Sequence, residues 1–150
     1  EIFMLNENII STILEKVDYA IPDEIKILLQ STKVRKEMLK KYGPKAFLDP
    51  KQLKFPVINP KTGKFDCKLI YAAILRASVH SSKGGSSKQP KEYYDSIKLK
   101  ATDLYKTKGC AQILKINLNK EELDILSLGS IFSIMESEQD SIINKTDYID

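Results

Sequence analysis

One histidine and two cysteines set the limits on nucleophilic and metal chemistry in this chain. A cysteine and a histidine make a reactive pair only when the imidazole can take the thiol proton across a hydrogen bond. His80 follows Cys67 by 13 residues on one predicted helix, which puts the two about 20 Å apart at ~1.5 Å per residue. Cys110 stays geometrically open as a partner, but no motif surrounds it. A zinc site would need both cysteines, the histidine and a carboxylate at unrelated spacings, without the paired-ligand signature of such sites. The stretch SKGGSSK lacks the order of Gly, Lys and Ser/Thr that cradles a phosphate, and no buried strand precedes it. Lys83 and Lys88 there are read as keeping a surface loop soluble. Asp49, Asp66, Asp95 and Asp103 each have a cap, turn or surface explanation, so no pair of carboxylates is set aside for acid–base work. These residues point away from catalysis, and neither a metal nor a cofactor is expected. His80 reads as a helix-end imidazole favoured by the dipole. Cys67 and Cys110 read as buried thiols of a reducing interior, since one bridge is too few for a disulfide scaffold.

Charge is more informative. The formal net charge is +4, yet residues 33–115 carry 20 Lys and Arg against 6 Asp and Glu, while the two flanks together carry 4 against 14. A basic middle between acidic ends implies either a polyanionic partner for the middle or acidic ends that dock on basic middles, within one molecule or between copies. Lys33, Arg35, Lys36, Lys40 and Lys41 form the candidate basic face. Such a face would neutralise phosphates, with Tyr42, Tyr71, Tyr93, Tyr94 and Tyr105 available for base stacking. Against that, lysines on helix outer faces are ordinary solvated faces, Tyr71 and Tyr105 have core spacing, and the excess of Lys over Arg argues against reading base edges.

The elements that must position these groups are mostly helical. Ile9, Ile10, Ile13, Leu14 and Val17 recur at helical spacing, and Ile21-Pro22 ends that helix. Pro22, Asp23 and Glu24 are good first-turn residues for a second helix through Ile25, Leu28 and Leu29, with Ser31 or Thr32 restarting or continuing it. KVRKEMLKKYG turns Val34, Met38, Leu39 and Tyr42 inward and stops at Gly43-Pro44. Four prolines between residues 44 and 60 then forbid a long helix, and each restricts its predecessor to extended backbone. Phe47, Leu48, Leu53, Phe55, Val57 and Ile58 in this stretch are too apolar to leave in water at about 25 cal/mol per Å², so the segment is an ordered plug. Asp66 caps a helix from Cys67 to about His80, with Cys67, Ile70, Tyr71, Ile74 and Ala77 or Ser78 on its buried face. Residues 80–90 read as a mobile Gly/Ser/Lys loop, and a helix from about Lys91 to Lys108 ends at Gly109. QILKINL alternates like a strand, with residues 2–5 or 55–58 as possible partners. Asn119 and Glu122 make a capping box for a last helix through Leu123 and Leu126. The sequence from Gly129 on is an acidic arm that orders on a partner.

Ala46-Phe47, Lys54-Phe55-Pro56-Val57, Asp66, and Ala73 with Arg76 three residues on occur in this order, followed by KLKATDLYKTKGC. In order and spacing this resembles a short basic module of poorly characterised proteins of tailed bacteriophages and related elements, over about a third of the chain. Leu69 stands where that module often has histidine, so no role of that histidine carries over. The resemblance implies a phage-encoded protein of the virion or its packaged contents, and it implies no catalytic residue. Phe47, Phe55, Pro56 and Asp66 are then structural, while Arg76 is free for a salt bridge or an anion.

Together these readings predict a mainly α domain over residues 1–128, with its basic module at 33–115, at most a minor hairpin, and an acidic arm over 129–150. The expected role is a nonenzymatic virion-associated protein that meets other virion proteins, copies of itself or packaged DNA. It would reside in the virion and, during assembly, in the host cytoplasm. A nucleic-acid-binding protein and a small enzyme are the alternatives. No apolar run approaches the ~20 residues that cross a bilayer, no secretory start is visible, and no membrane partner is expected.

Overall fold

The computed structural model describes residues 7–113. Among the described residues the fold is mainly helical with one two-stranded antiparallel sheet. In order it forms α1 (Glu7–Ala20), α2 (Asp23–Gln30), α3 (Thr32–Tyr42), a 3-10 turn (Pro44–Ala46), β1 (Phe47–Asp49), β2 (Lys54–Pro56), α4 (Cys67–Ser82), α5 (Lys91–Thr107) and the short α6 (Cys110–Ile113).

The helix punctuation follows from local chemistry. Ile21 and Pro22 end α1, and the Pro22 carbonyl accepts from the amides of Ile25 and Lys26 to open α2. Asp23 and Glu24 lie in the positive first turn. Ser31 restarts the chain as a cap, its hydroxyl accepting from the Val34 amide at 3.2 Å, so α2 and α3 are separate helices. Gly43, at φ 85°, closes α3 and hands over to Pro44. Asp66 caps α4 as its type and position predict, its carboxylate accepting from the Lys68 amide at 2.9 Å.

α4 is the axis of the domain. It packs against α5 along one side and α1 along the other. Consequently Leu69 through Leu75 are all buried, a wider surface than the single stripe its periodicity suggests. Ile10, Ile13 and Val17 of α1, with Tyr94, Ile97 and Ala101 of α5, complete this core. A second, smaller cluster of Met38, Ala46, Phe47 and Ile58 fastens α3 to the proline-rich plug. Phe47 is buried in it, and Phe55 packs partly buried on the main core.

The plug is a hairpin in the register Phe47↔Pro56 and Asp49↔Lys54. It departs from expectation at one residue. Phe55 precedes Pro56 and should be extended, yet it adopts φ 58°, as does Leu53. Each such conformation costs a large L-residue about 1–2 kcal/mol. The bend sets the Phe55 ring 6.5 Å from that of Tyr93, and burial of a phenyl group, worth about 1.5–3 kcal/mol when complete, offsets the cost. Gly63 is required for packing as well as for its φ of 74°, because a Cβ there would come within 2.9 Å of the Tyr42 ring.

Three further expectations change. Ser81 and Ser82 belong to α4, and the rest of the 80–90 loop is tied together. Gly85 bridges Pro90, the Ser86 amide donates to the Gln89 carbonyl at 2.7 Å, and the Ser86 hydroxyl meets Tyr94 Oη at 2.8 Å. The stretch is a tight connection between antiparallel helices. Gln112 and Ile113, expected to open a strand, lie in α6, and residues 55–58 pair within the plug instead. Finally, Cys67 and Cys110 are joined in a disulfide, with Cα atoms 5.4 Å apart; they are not the free thiols their number suggests. α4 and α5 are antiparallel and nearly equal in length, at 16 and 17 residues, so the first residue of α4 returns to the end of α5. The remaining strand residues 114–118, the proposed partners 2–5, the Asn119/Glu122 capping box, the Leu123–Leu126 helix and the 129–150 arm lie outside the described residues.

Candidate functional site

The histidine and cysteines do not converge. Cys110 is buried and bonded to Cys67, so neither sulfur is a nucleophile in this structure. His80 stacks on the Tyr94 ring with centroids 4.7 Å apart. Among the described residues no group of three or more His, Cys, Asp or Glu side chains is placed to hold a metal ion, and no helix is long and apolar enough to cross a membrane.

The polar side chains between α4, α5 and the hairpin form joints. Asp95 accepts from Lys91 at 2.8 Å and from Ser81 at 2.5 Å, with buried Lys98 at 3.7 Å. Burial alone would raise its carboxyl, but the hydrogen bonds from Lys91 and Ser81 and the charges of Lys98 and Lys91 outweigh it and hold the group below the ordinary carboxylate range. Tyr93 Oη donates to Asp49 at 2.6 Å, fastening α5 to β1. Burial first, then this hydrogen bond and the Asp49 charge, push the phenol well above its usual value.

The predicted contact residues divide. Arg35 turns inward, donating from Nη1 to the Leu29 carbonyl at 2.5 Å and from Nη2 to Thr32 Oγ1 at 3.3 Å, while its buried Nε finds no hydrogen-bond partner. It closes the α2–α3 junction and leaves the outward basic face, because the last carbonyls of α2 need a donor. Arg76 pairs with Asp18 of α1 through Nη2, at 2.9 and 3.1 Å. Of the two roles open to Arg76, this geometry is the salt bridge. Lys33, Lys36, Lys40 and Lys41 are exposed on α3, and Lys41 sits 5.4 Å from the Tyr42 ring centre. Of the tyrosines considered for base stacking, Tyr71 and Tyr94 are buried and Tyr93 is hydrogen-bonded to Asp49, so they form no outward platform.

What the sequence did not single out is an open groove of about 430 Å³ between the plug and α5. Its wall is apolar: Pro44, Phe47, Leu48 and Pro50 on one side, Phe65 and Leu104 on the other. Lys45 and Lys100 stand on its rim together with one carboxylate, Asp103. Lys100 also donates to the Leu48 carbonyl at 3.1 Å, pinning α5 to β1, and its remaining two N–H groups stay available. Lys108 adds a third cation, 4.3 Å above the Phe65 ring. Lys45 is exposed and makes no ion pair among the described residues. Chemically, the groove offers a place for large apolar side chains beside cations that attract carboxylates. Its components are separated by up to 64 residues in sequence, which is why composition showed the charge and not the site. The one early signal was the number of large apolar residues in a segment too rich in proline for helix.

Comparison of the chain with protein-family models, curated proteins and solved structures returned no match.

Proposed function

We propose that this chain is a nonenzymatic docking protein of a bacteriophage virion, which assembles by taking acidic, partly apolar segments into the groove between its plug and α5. The observation that carries the reading is the combination of an apolar wall with Lys45, Lys100 and Lys108 around it. Apolar burial supplies affinity, and the rim charges select acidic partners and speed their encounter. The resemblance of residues 45–76 and 98–109 to a phage module supports the virion setting. Mass spectrometry of purified particles tests the proposal: the chain should be present in a fixed number of copies, whereas its presence in infected-cell lysate alone would count against it.

A second reading, nucleic-acid binding, is favoured by one observation. Lys33, Lys36 and Lys40 are exposed at i, i+3 and i+7 on α3, with Glu37 as the acid among them. A row of this kind contacts phosphates without reading sequence. It predicts a gel shift at low salt that fades as salt rises; no shift at low salt removes it.

A further inference from the structure

We propose that the groove between the plug and α5 is a latch for this chain's own acidic arm, with residues 131–140 as the occupant. The inference rests on the docking reading and names the segment that the groove takes in the free protein.

The match lies in chemistry and order. The groove presents an apolar wall, centred on Phe47, Leu48, Phe65 and Leu104, bordered by Lys45, Lys100 and Lys108. In the arm, four of the five residues from Ile131 to Met135 are apolar, and three of the next five, Glu136, Glu138 and Asp140, are acidic. An apolar block followed by an acidic block can fill the wall and then meet the lysines. Among the described residues Asp103 is the single acidic group on the rim and is outnumbered there.

The connection is long enough. Residues 114–130 separate the end of α6 from Ile131, seventeen residues whose reach is at most about 55–60 Å when fully extended. The groove is close to where that connection starts, since Leu104 and Lys108 line or border it and Cys110 already opens α6. The disulfide from Cys110 to Cys67 anchors that starting point on α4. Tethering then makes docking intramolecular, with an effective concentration in the millimolar range. A weak apolar and ionic contact suffices to keep the groove filled, and a virion partner presenting an acidic segment must displace the arm before it can dock.

Carbodiimide coupling of the full-length protein tests this, because the reagent joins a carboxylate to an amine only when the two are in contact. The protein is prepared as an equal mixture of ¹⁴N and ¹⁵N chains at low salt, coupled, and its peptides are read by mass spectrometry. Glu136, Glu138 or Asp140 should couple to Lys45, Lys100 or Lys108 about tenfold more than to Lys33, Lys36 or Lys40 of α3, the ratio that ~1.4 kcal/mol of preference gives. The products should join chains of one isotope and lose yield at about 1 M salt, where the screening length is ~3 Å. Equal coupling to both lysine sets overturns the proposal, as does coupling mainly to α3. Mixed-isotope products in the expected statistical share also overturn it, because they place the arm on a second copy. None of these outcomes depends on whether particles contain the chain, so the latch and the virion reading fail separately.

Discussion

Removing the Cys67–Cys110 disulfide is the perturbation whose effect follows most directly from the fold. The cysteines are 43 residues apart in sequence, and cross-linking a loop of that length removes about 13 cal/mol/K of entropy from the unfolded chain, or about 4 kcal/mol at ~25 °C. With unfolding entropy of ~2.1 cal/mol/K per residue over the 107 described residues, that loss lowers the melting temperature by about 18 °C. Cys67→Ala/Cys110→Ala is the variant of choice, because serine at position 110 would bury a hydroxyl in a fully enclosed site. Thermal unfolding of the double variant is compared with the oxidised parent, and alkylation before and after reduction counts the thiols. The parent should take up alkyl groups only after reduction. Two reactive thiols in the untreated native protein, or a midpoint that reduction leaves within about 4 °C of the parent's, would refute the antiparallel closure of α4 and α5 as the reason the sulfurs meet.

Asp95→Asn should destabilise by about 2 kcal/mol in urea unfolding, since a charged acceptor is lost beside buried Lys98. Asp95 has a lowered pKa in the folded state, so its stabilisation is complete above the ordinary carboxylate pKa of ~3.9 and is lost as pH falls through the lower folded value; parent and variant should therefore converge in stability on acidification. Tyr93→Phe should cost about 1 kcal/mol by losing the hydrogen bond to Asp49, with faster hydrogen exchange in β1 as the local sign. Arg76→Gln should change stability by less than about 1 kcal/mol, because the pair with Asp18 is 45% and 37% exposed; a larger loss in chemical unfolding would show that the α1–α4 joint depends on that charge.

The fold was legible wherever one residue type determines local backbone. Pro22, the Ser31 cap, the Gly43-Pro44 stop and the Asp66 cap all mark observed boundaries, and amphipathic spacing located α1, α3 and α5. Legibility failed where tertiary contact decides. Phe55 takes a left-handed φ before a proline because its ring is drawn to the core and Tyr93. Arg35, counted with an outward row by spacing, turns inward because the α2 end needs a donor. The disulfide was within reach of arithmetic, since two predicted helices of similar length joined by an eleven-residue loop return Cys110 to Cys67. The groove was not, because Lys45, Phe65 and Lys100 approach one another only when the plug lies on α5.

If the groove is the surface that docks acidic segments, reversing the charge of its rim must cut assembly. Lys45 and Lys108 are exposed, so Lys45→Glu/Lys108→Glu should stay folded, melting within about 5 °C of the parent because the Lys108–Phe65 contact is lost, while the copies found in purified particles fall about tenfold, the change expected for a loss of ~1.4 kcal/mol. Undiminished incorporation of the folded variant would contradict docking through the groove.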